Sequence, residues 1–191
     1  MQSILREKLL AQSFKLAEVS KIYRTDSHRF VDAYLNWLEE AEKDLASLRS
    51  PINILLHAEK SALTSILEGN LPHYAQEKRN TKKYQRAAAA ESMERILKEF
   101  YSKIESIDQY FDRIRENLCQ TIAILTTKDP NFHQSLEPNQ QGVKIILKKM
   151  SQTPETIQMY NYFSAKLAST DVKYLIVGII MNIIGNGTNN I

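Results

Sequence analysis

The amino-acid sequence predicts an all-α protein, a bundle of three to four long antiparallel helices with a shorter helical cap at the C-terminal end. Only five glycines and five prolines occur in 191 residues, too few for the frequent turns that β-rich folds need. Apolar residues recur at steps of three and four along most of the chain, as on one face of a helix. Two pairs, Ser50-Pro51 and Thr153-Pro154, combine a capping side chain with a proline suited to the start of a helix.

The first part of the chain divides into three predicted helices. An amphipathic helix covers residues 3–23, and Thr25-Asp26-Ser27 then offers three N-cap side chains for a second helix that runs to about Leu48. The alternative is that the first helix continues through a kink. A third helix is expected over residues 51–68, because Gly69 supplies the left-handed residue with which helices commonly end.

The clearest periodicity predicts one long helix over residues 81–126. Its apolar residues keep a single seven-residue register, in which Thr121 is the only polar member. Such a seam is typical of a long helix packed lengthwise against one or two others. The seam consists of Met93, Leu97, Phe100, Ile104, Ile107, Phe111, Ile114, Leu118 and Leu125.

The rest of the chain is predicted to hold one loop and three shorter helices. The loop covers residues 131–142, and the helices cover residues 143–150, 153–168 and 169–185. We expect a single domain over residues 1–185 and a disordered tail over residues 186–191. The predicted core includes Leu38, Leu45, Leu56, Leu63, Leu97, Ile104, Phe111, Leu118, Ile176 and Ile180.

The strongly apolar stretch at residues 172–184 is predicted to be a core helix that is buried on all sides. It is shorter than the ~20 residues of a membrane-spanning helix and contains Lys173 and Asn182, so no transmembrane segment is predicted. The alternative is an amphitropic or oligomer-forming segment. The N-terminus lacks the pattern of a secretory signal, and the single cysteine, Cys119, cannot form an internal disulfide. These features favour a cytoplasmic protein.

Short motifs for metal or nucleophilic chemistry are absent from the sequence. No His has the Glu three residues before it that carboxylate di-metal bundles use, and the glycines form no phosphate-binding loop. Arg24 and His28 are separated by three residues and Arg49 and His57 by seven, spacings that do not match the Arg–His pair of helical-bundle ribonucleases. We therefore predict no catalytic residues, no metal site and no cofactor.

One local feature points to a kind of partner. The basic segment, Lys78, Arg79, Lys82, Lys83 and Arg86, places five positive charges within nine residues with no acid among them. On a helix, residues three and four apart are neighbours, so most of these charges share one stripe that could grip a phosphate-rich partner. The alternative is a solvated segment that faces the acidic side of the second helix, formed by Glu39, Glu40, Glu42 and Asp44.

The sequence leads to three hypotheses about function. The first is a non-enzymatic interaction protein, an adaptor or regulatory subunit, that associates with copies of itself through the long seam. Its protein partner is not identified by the sequence. The second is a binder of nucleic acid or another polyanion through the basic segment. The third is a helical enzyme or a membrane-active protein that carries no recognisable short motif.

Overall fold

The computed structural model describes residues 1–26, 29–72, 78–132 and 136–187, and this part of the chain is helical with no β-strand. The predicted all-α class is confirmed, whereas the number of helices in one bundle stays a prediction. A 3₁₀ turn, Ala46–Leu48, follows the second helix. The α-helices are α1 (Gln2–Thr25), α2 (Phe30–Leu45), α3 (Ile52–Leu67), α4 (Lys78–Lys128), α5 (Gln140–Gln152), α6 (Ile157–Lys166) and α7 (Ser169–Gly187).

Contacts group the chain into two compact units. The N-terminal unit is Ile4–Glu105, and the C-terminal unit combines Met1–Ser3 with Ser106–Ile191. The long helix α4 spans 51 residues and contributes to both units. The predicted single domain over residues 1–185 stays a prediction. Helix α7 extends to Gly187, two residues beyond the predicted boundary, and residues 188–191 lie outside the described part.

The start of α2 differs from the prediction. Its N-cap residue is Arg29, whose side chain makes no capping hydrogen bond. Thr25 is still helical, and its hydroxyl donates to the carbonyl of Lys21 one turn back. Capping by Thr25 or Asp26 was therefore a wrong prediction, because the chain stays helical through Thr25 and Asp26 lies too far before Phe30; Ser27 lies outside the described residues.

The predicted boundaries of α3 are close to the observed ones. The Ser50 hydroxyl oxygen lies 3.4 Å from the amide nitrogen of Ile52 and accepts its hydrogen bond at the start of the helix. Gly69 follows the helix with φ of 101°, the left-handed conformation that favours glycine. Arg49 also adopts a left-handed conformation, with φ of 48°, and nothing in the sequence indicated this.

In the N-terminal unit, α1, α2 and α3 alternate in direction. Lys8 of α1 bonds Asp44 near the end of α2, and Lys15 bonds Glu40 one turn earlier, so α1 and α2 are antiparallel. The next pair is antiparallel as well. The Asn53 amide at the start of α3 donates to the carbonyl of Leu45, whereas Lys60 reaches back to Glu42.

An aromatic row on α2 connects these helices to the first part of α4. Phe30, Tyr34 and Trp37 are buried, and neighbouring rings lie 5.8 to 6.1 Å apart. Trp37 also contacts Phe100 of α4, with ring centroids 6.2 Å apart. The Tyr34 hydroxyl pairs with that of Ser92 at 2.8 Å, and burial raises the pKa of the Tyr34 phenol far above its usual value. The phenol is therefore a neutral hydrogen-bonding group within the core.

In the C-terminal unit, α5 packs against α6 and α7. Helix α5 begins at Gln140, three residues before the predicted start, because the side chain of Asn139 accepts hydrogen bonds from the amides of Gln141 and Gly142. Residues 140–142 of the predicted loop are therefore helical. Gly142 is buried against the loop before it, and a Cβ atom there would lie 2.0 Å from the carbonyl oxygen of Glu137.

Helix α6 is shorter than the predicted helix over residues 153–168. The backbone of Thr153 is extended and ends α5, so Pro154 belongs to the turn before α6. Thr156 is buried, and its hydroxyl donates to the carbonyl of Met150 at 2.9 Å. This bond ties the start of α6 to the end of α5.

The predicted core residues are buried, with one exception. Leu97 is half-buried because Ile96, one position earlier on α4, occupies the fully buried site. The seam from Phe100 to Leu125 is likewise buried. The sequence hypothesis assigned self-association to this seam, but its side chains are already covered within the chain.

Candidate functional site

The basic segment lies on the first turns of α4. Lys82 and Lys83 are exposed, and Arg86 is half-buried with its Nε 3.3 Å from the carbonyl oxygen of Lys82. The side chains of Lys78 and Arg79 lie outside the described part of the structure. Two adjacent ammonium groups therefore face solvent, and polyanion binding at this segment stays a prediction.

The acidic side of α2 is occupied by other cations. Glu40 pairs with Lys15, and Asp44 pairs with Lys8, whose hydrogen bond lowers the pKa of the Asp44 carboxyl. Glu42 accepts hydrogen bonds from Lys60 and from His57, each at 2.8 Å. These bonds lower the pKa of the Glu42 carboxyl, and the bond from Lys60 has the larger effect.

Glu39 is exposed. The acids with which the basic segment was expected to pair, other than Glu39, are therefore engaged elsewhere in the N-terminal unit.

The histidines form no recognisable metal centre in the described residues. His57 is exposed and pairs with Glu42, while His28, His73 and His133 lie outside the described part. No group of three or more His, Cys, Asp or Glu side chains among the described residues could hold a metal ion. None of the described helices is long and apolar enough to cross a membrane.

Helix α7 is apolar on two faces. One face is buried in the C-terminal unit and includes Leu175, Ile176, Ile179 and Ile180. The other, here called the α7 apolar face, carries Tyr174, Val177, Gly178, Met181 and Ile184, and Met181 is 55% exposed. The prediction of a helix buried on all sides was therefore wrong. The segment has the near-uniform apolar composition of a core helix, but only one of its faces meets the core.

A pocket of about 630 Å³ lies between α4 and α7 within the C-terminal unit. The buried side chains of Ile122, Leu136 and Ile179 form its floor. Its rim includes Cys119 and Ala123 of α4 and Ile183 of α7, all of which are exposed. The other described lining residues are Thr126, Thr127 and Asn182.

The sequence pattern contains part of the signal for this pocket. Cys119, Ala123 and Thr127 are spaced four residues apart, so they form a stripe of small side chains on α4 next to the apolar seam. Small side chains beside large ones leave space along a helix. The pattern could not reveal that α7 and Leu136 border that space, because this depends on how α7 packs against α4.

Comparison with known proteins found no protein family that matches the chain, no significantly similar protein of curated function and no significantly similar solved structure.

Proposed function

We propose that this protein is a non-enzymatic interaction protein that self-associates through the α7 apolar face. The observation that supports the proposal is the second apolar side of α7, where Met181 is 55% and Ile184 is 43% exposed. A surface helix normally carries polar residues on the face that looks away from the core. A contiguous exposed apolar stripe is instead typical of an interaction site.

The shape of the face favours a second copy of the same helix as its partner. A Cβ atom added at Gly178 would meet nothing within 4 Å, so another backbone can approach closely there. Two α7 helices that cross antiparallel at this point bring Val177 of one copy against Gly178 of the partner subunit. Tyr174 then meets the partner's Met181, a favourable pairing of aromatic ring and sulfur. Such a contact is isologous and closes as a dimer.

Charge is compatible with the same arrangement. Lys173 is exposed beside the apolar face, near the N-terminal end of α7. In an antiparallel pair it lies near the C-terminal end of the partner helix, where the helix dipole favours a cation. Parallel pairing would place the two Lys173 ammonium groups side by side. The antiparallel dimer is therefore the arrangement that we propose.

Sedimentation velocity of the purified chain tests the proposal. The wild type should sediment with about twice the 22.0 kDa mass of one chain at micromolar concentration. Met181→Glu and Ile184→Glu each place a charge in the interface and should weaken association by about 100-fold or more. Ile54→Glu is the matched control, because Ile54 is 74% exposed on α3. A wild-type monomer would overturn the proposal, as would equal dissociation by Ile54→Glu and Ile184→Glu.

Polyanion binding by the basic segment is the second candidate function. It is supported by the exposure of Lys82 and Lys83, which form no ion pair with the described carboxylates. Replacing both with glutamine should make the slope of log K for DNA binding against log salt concentration shallower by about 1.8, because each lost phosphate contact contributes about 0.9. The control is Lys144→Gln with Lys148→Gln, an exposed pair on α5 with the same change in charge. Salt-independent binding, or equal loss in both double variants, would exclude this function.

A further inference from the structure

We propose that the pocket between α4 and α7 binds a small, uncharged, hydrophobic molecule that carries one hydrogen-bond donor, such as a hydroxyl group. The pocket volume of about 630 Å³ lies within the range of roughly 300–1,000 Å³ typical of ligand sites. The pocket is open to solvent, and exposed residues form its rim. Its floor of Ile122, Leu136 and Ile179 is apolar, so a hydrophobic guest would remove this surface from water.

The polar atoms of the lining select for a donor on the ligand. The hydroxyls of Thr126 and Thr127 donate to the carbonyls of Ile122 and Ala123, each at 2.9 Å. Their protons are thus already used, and the hydroxyl oxygens can offer only acceptor lone pairs to a guest. The carboxamide of Asn182 supplies a further acceptor and an N–H donor. A ligand hydroxyl can donate to the threonine oxygens or to the Asn182 carbonyl oxygen, and it can accept from the Asn182 N–H group.

Charge in the pocket argues against an ionic ligand. None of the described lining residues is charged. Lys128, next to Thr127, is paired with Glu155, and Asp129 is paired with Lys149. A ligand carboxylate or ammonium group would find no free counter-ion among these residues and would lose part of its hydration against the apolar floor. An uncharged head group avoids this cost.

The single cysteine provides a reporter at the site. Cys119 is the only cysteine of the chain, is exposed and lies on the pocket rim. Its rate of alkylation by N-ethylmaleimide, followed by intact mass, should fall when a guest fills the pocket. The probes are 1-decanol, decanoate and decyltrimethylammonium, used below micelle-forming concentrations, because they share one chain and differ in head-group charge. We expect 1-decanol to slow alkylation by about tenfold near saturation, and either ionic probe to need at least about tenfold more ligand.

Two variants connect the effect to the pocket. Ala123→Phe should fill the space and abolish the slowing by 1-decanol, measured as the ratio of rates with and without ligand. Ala87→Phe, an exposed site earlier on α4, should leave that ratio unchanged. Asn182→Leu removes the carboxamide and should reduce the preference for 1-decanol over the two ionic probes. This variant keeps the test valid if circular dichroism shows that Ala123→Phe is unfolded.

Any of four outcomes would overturn the proposal: no slowing by 1-decanol, equal slowing by an ionic probe, slowing that survives in folded Ala123→Phe, or an unchanged preference for 1-decanol over the ionic probes in Asn182→Leu. The lining shares no residue with the α7 apolar face. The test can therefore fail while self-association stands, and the reverse is also true.

Discussion

The Arg95 guanidinium holds the Glu59 carboxylate through two hydrogen bonds, with Nε 2.8 Å from Oε1 and Nη2 2.9 Å from Oε2. This pair connects α3 to α4, and the Glu59 side chain is only 11% exposed. The hydrogen bond from Arg95 lowers the pKa of the Glu59 carboxyl, while partial burial opposes this effect. Two parallel bonds between planar groups fix geometry as well as charge. Glu59 thus acts as a structural member of an otherwise apolar helix face.

Glu59→Gln should lower the free energy of unfolding by about 1–3 kcal/mol at neutral pH, because the largely buried Glu59 carboxylate is the charged acceptor of both hydrogen bonds from Arg95. Urea denaturation measures the change. The matched control is Glu18→Gln, which breaks the exposed pair with Lys21 and should cost less than about 0.5 kcal/mol. Since the folded pKa of Glu59 is lowered, its contribution is present above about pH 4.3 and is lost as pH falls through the folded pKa. Equal costs for both variants would contradict the structural role.

Phe111→Ala should destabilise the protein by roughly 3–5 kcal/mol, the usual cost of emptying an aromatic core site. Phe111 is buried in the C-terminal unit, and its ring centroid lies 5.8 Å from that of Tyr174. Phe14→Ala is the control, because Phe14 is 73% exposed on α1, and its cost should be within about 0.5 kcal/mol. Chemical denaturation followed by near-ultraviolet circular dichroism distinguishes them. A loss below about 1 kcal/mol for Phe111→Ala would contradict its assignment to the core.

Two glycine-to-alanine substitutions should have opposite effects on the melting temperature. Gly142→Ala should destabilise, because its Cβ would lie 2.0 Å from the backbone oxygen of Glu137, which cannot move without shifting the chain. Gly178→Ala places a Cβ in open space on a helix and should stabilise the folded chain by about 0.5–1 kcal/mol. The comparison is best made at concentrations that keep the chain monomeric. Equal shifts in melting temperature for the two variants would contradict the difference in local packing between Gly142 and Gly178.

Asp171→Asn should lower stability by about 2 kcal/mol at neutral pH, since hydrogen bonds to a charged acceptor contribute more than neutral ones. The buried carboxylate accepts from the amides of Gln2 and Ser3 at 3.0 and 2.9 Å and from the Ser3 hydroxyl at 2.6 Å. Burial raises the pKa of Asp171, but the hydrogen bonds, led by that from the Met1 amino group, outweigh it, and the pKa is lowered.

This lowered pKa gives a pH-dependent test. The stability that the Asp171 carboxylate supplies is present above its unfolded pKa of about 3.9 and is lost as pH falls through the lower folded value. The difference between wild type and Asp171→Asn should therefore shrink in acid, as followed by thermal melts below about pH 4. Asp112→Asn, at an exposed pair with Arg115, serves as the control and should show a small difference throughout. A pH-independent gap for Asp171→Asn would contradict the proposed ionic role.

The sequence predicted the helices and most of the buried side chains because both depend on local periodicity. The seam through Phe111 and Leu118 and the end of α3 at Gly69 are local signals of this kind. It did not predict that α7 would have an exposed apolar side, because a uniformly apolar helix does not indicate which face meets the core. Gly142 was assigned to a loop, but it lies in the first turn of α5. The lack of a side chain there allows close contact with the backbone of Glu137, and a pattern of single residues cannot show such a contact.

The basic segment shows a second limit of prediction from sequence, which concerns ion pairs between distant residues. Charge spacing identified Lys82 and Lys83 as neighbours on a helix, and both are exposed. It could not determine whether the acids of α2 would reach them, since Glu42 and Asp44 find Lys60 and Lys8 through tertiary packing. The pocket between α4 and α7 was missed because its lining comes from distant parts of the chain.

The bond between Asp171 and Ser3 joins residues that are 168 positions apart in the sequence. On the ribosome, the first turn of α1 is made well before its carboxylate acceptor, which follows 168 positions after Ser3. Helices α1 to α3 can meet one another well before that, so folding during synthesis should begin in the N-terminal unit. The C-terminal unit must wait until Asp171 has been made, and contacts of such long range are slow to close. Chains stalled before Asp171 should therefore present a first turn of α1 that is still accessible to proteases.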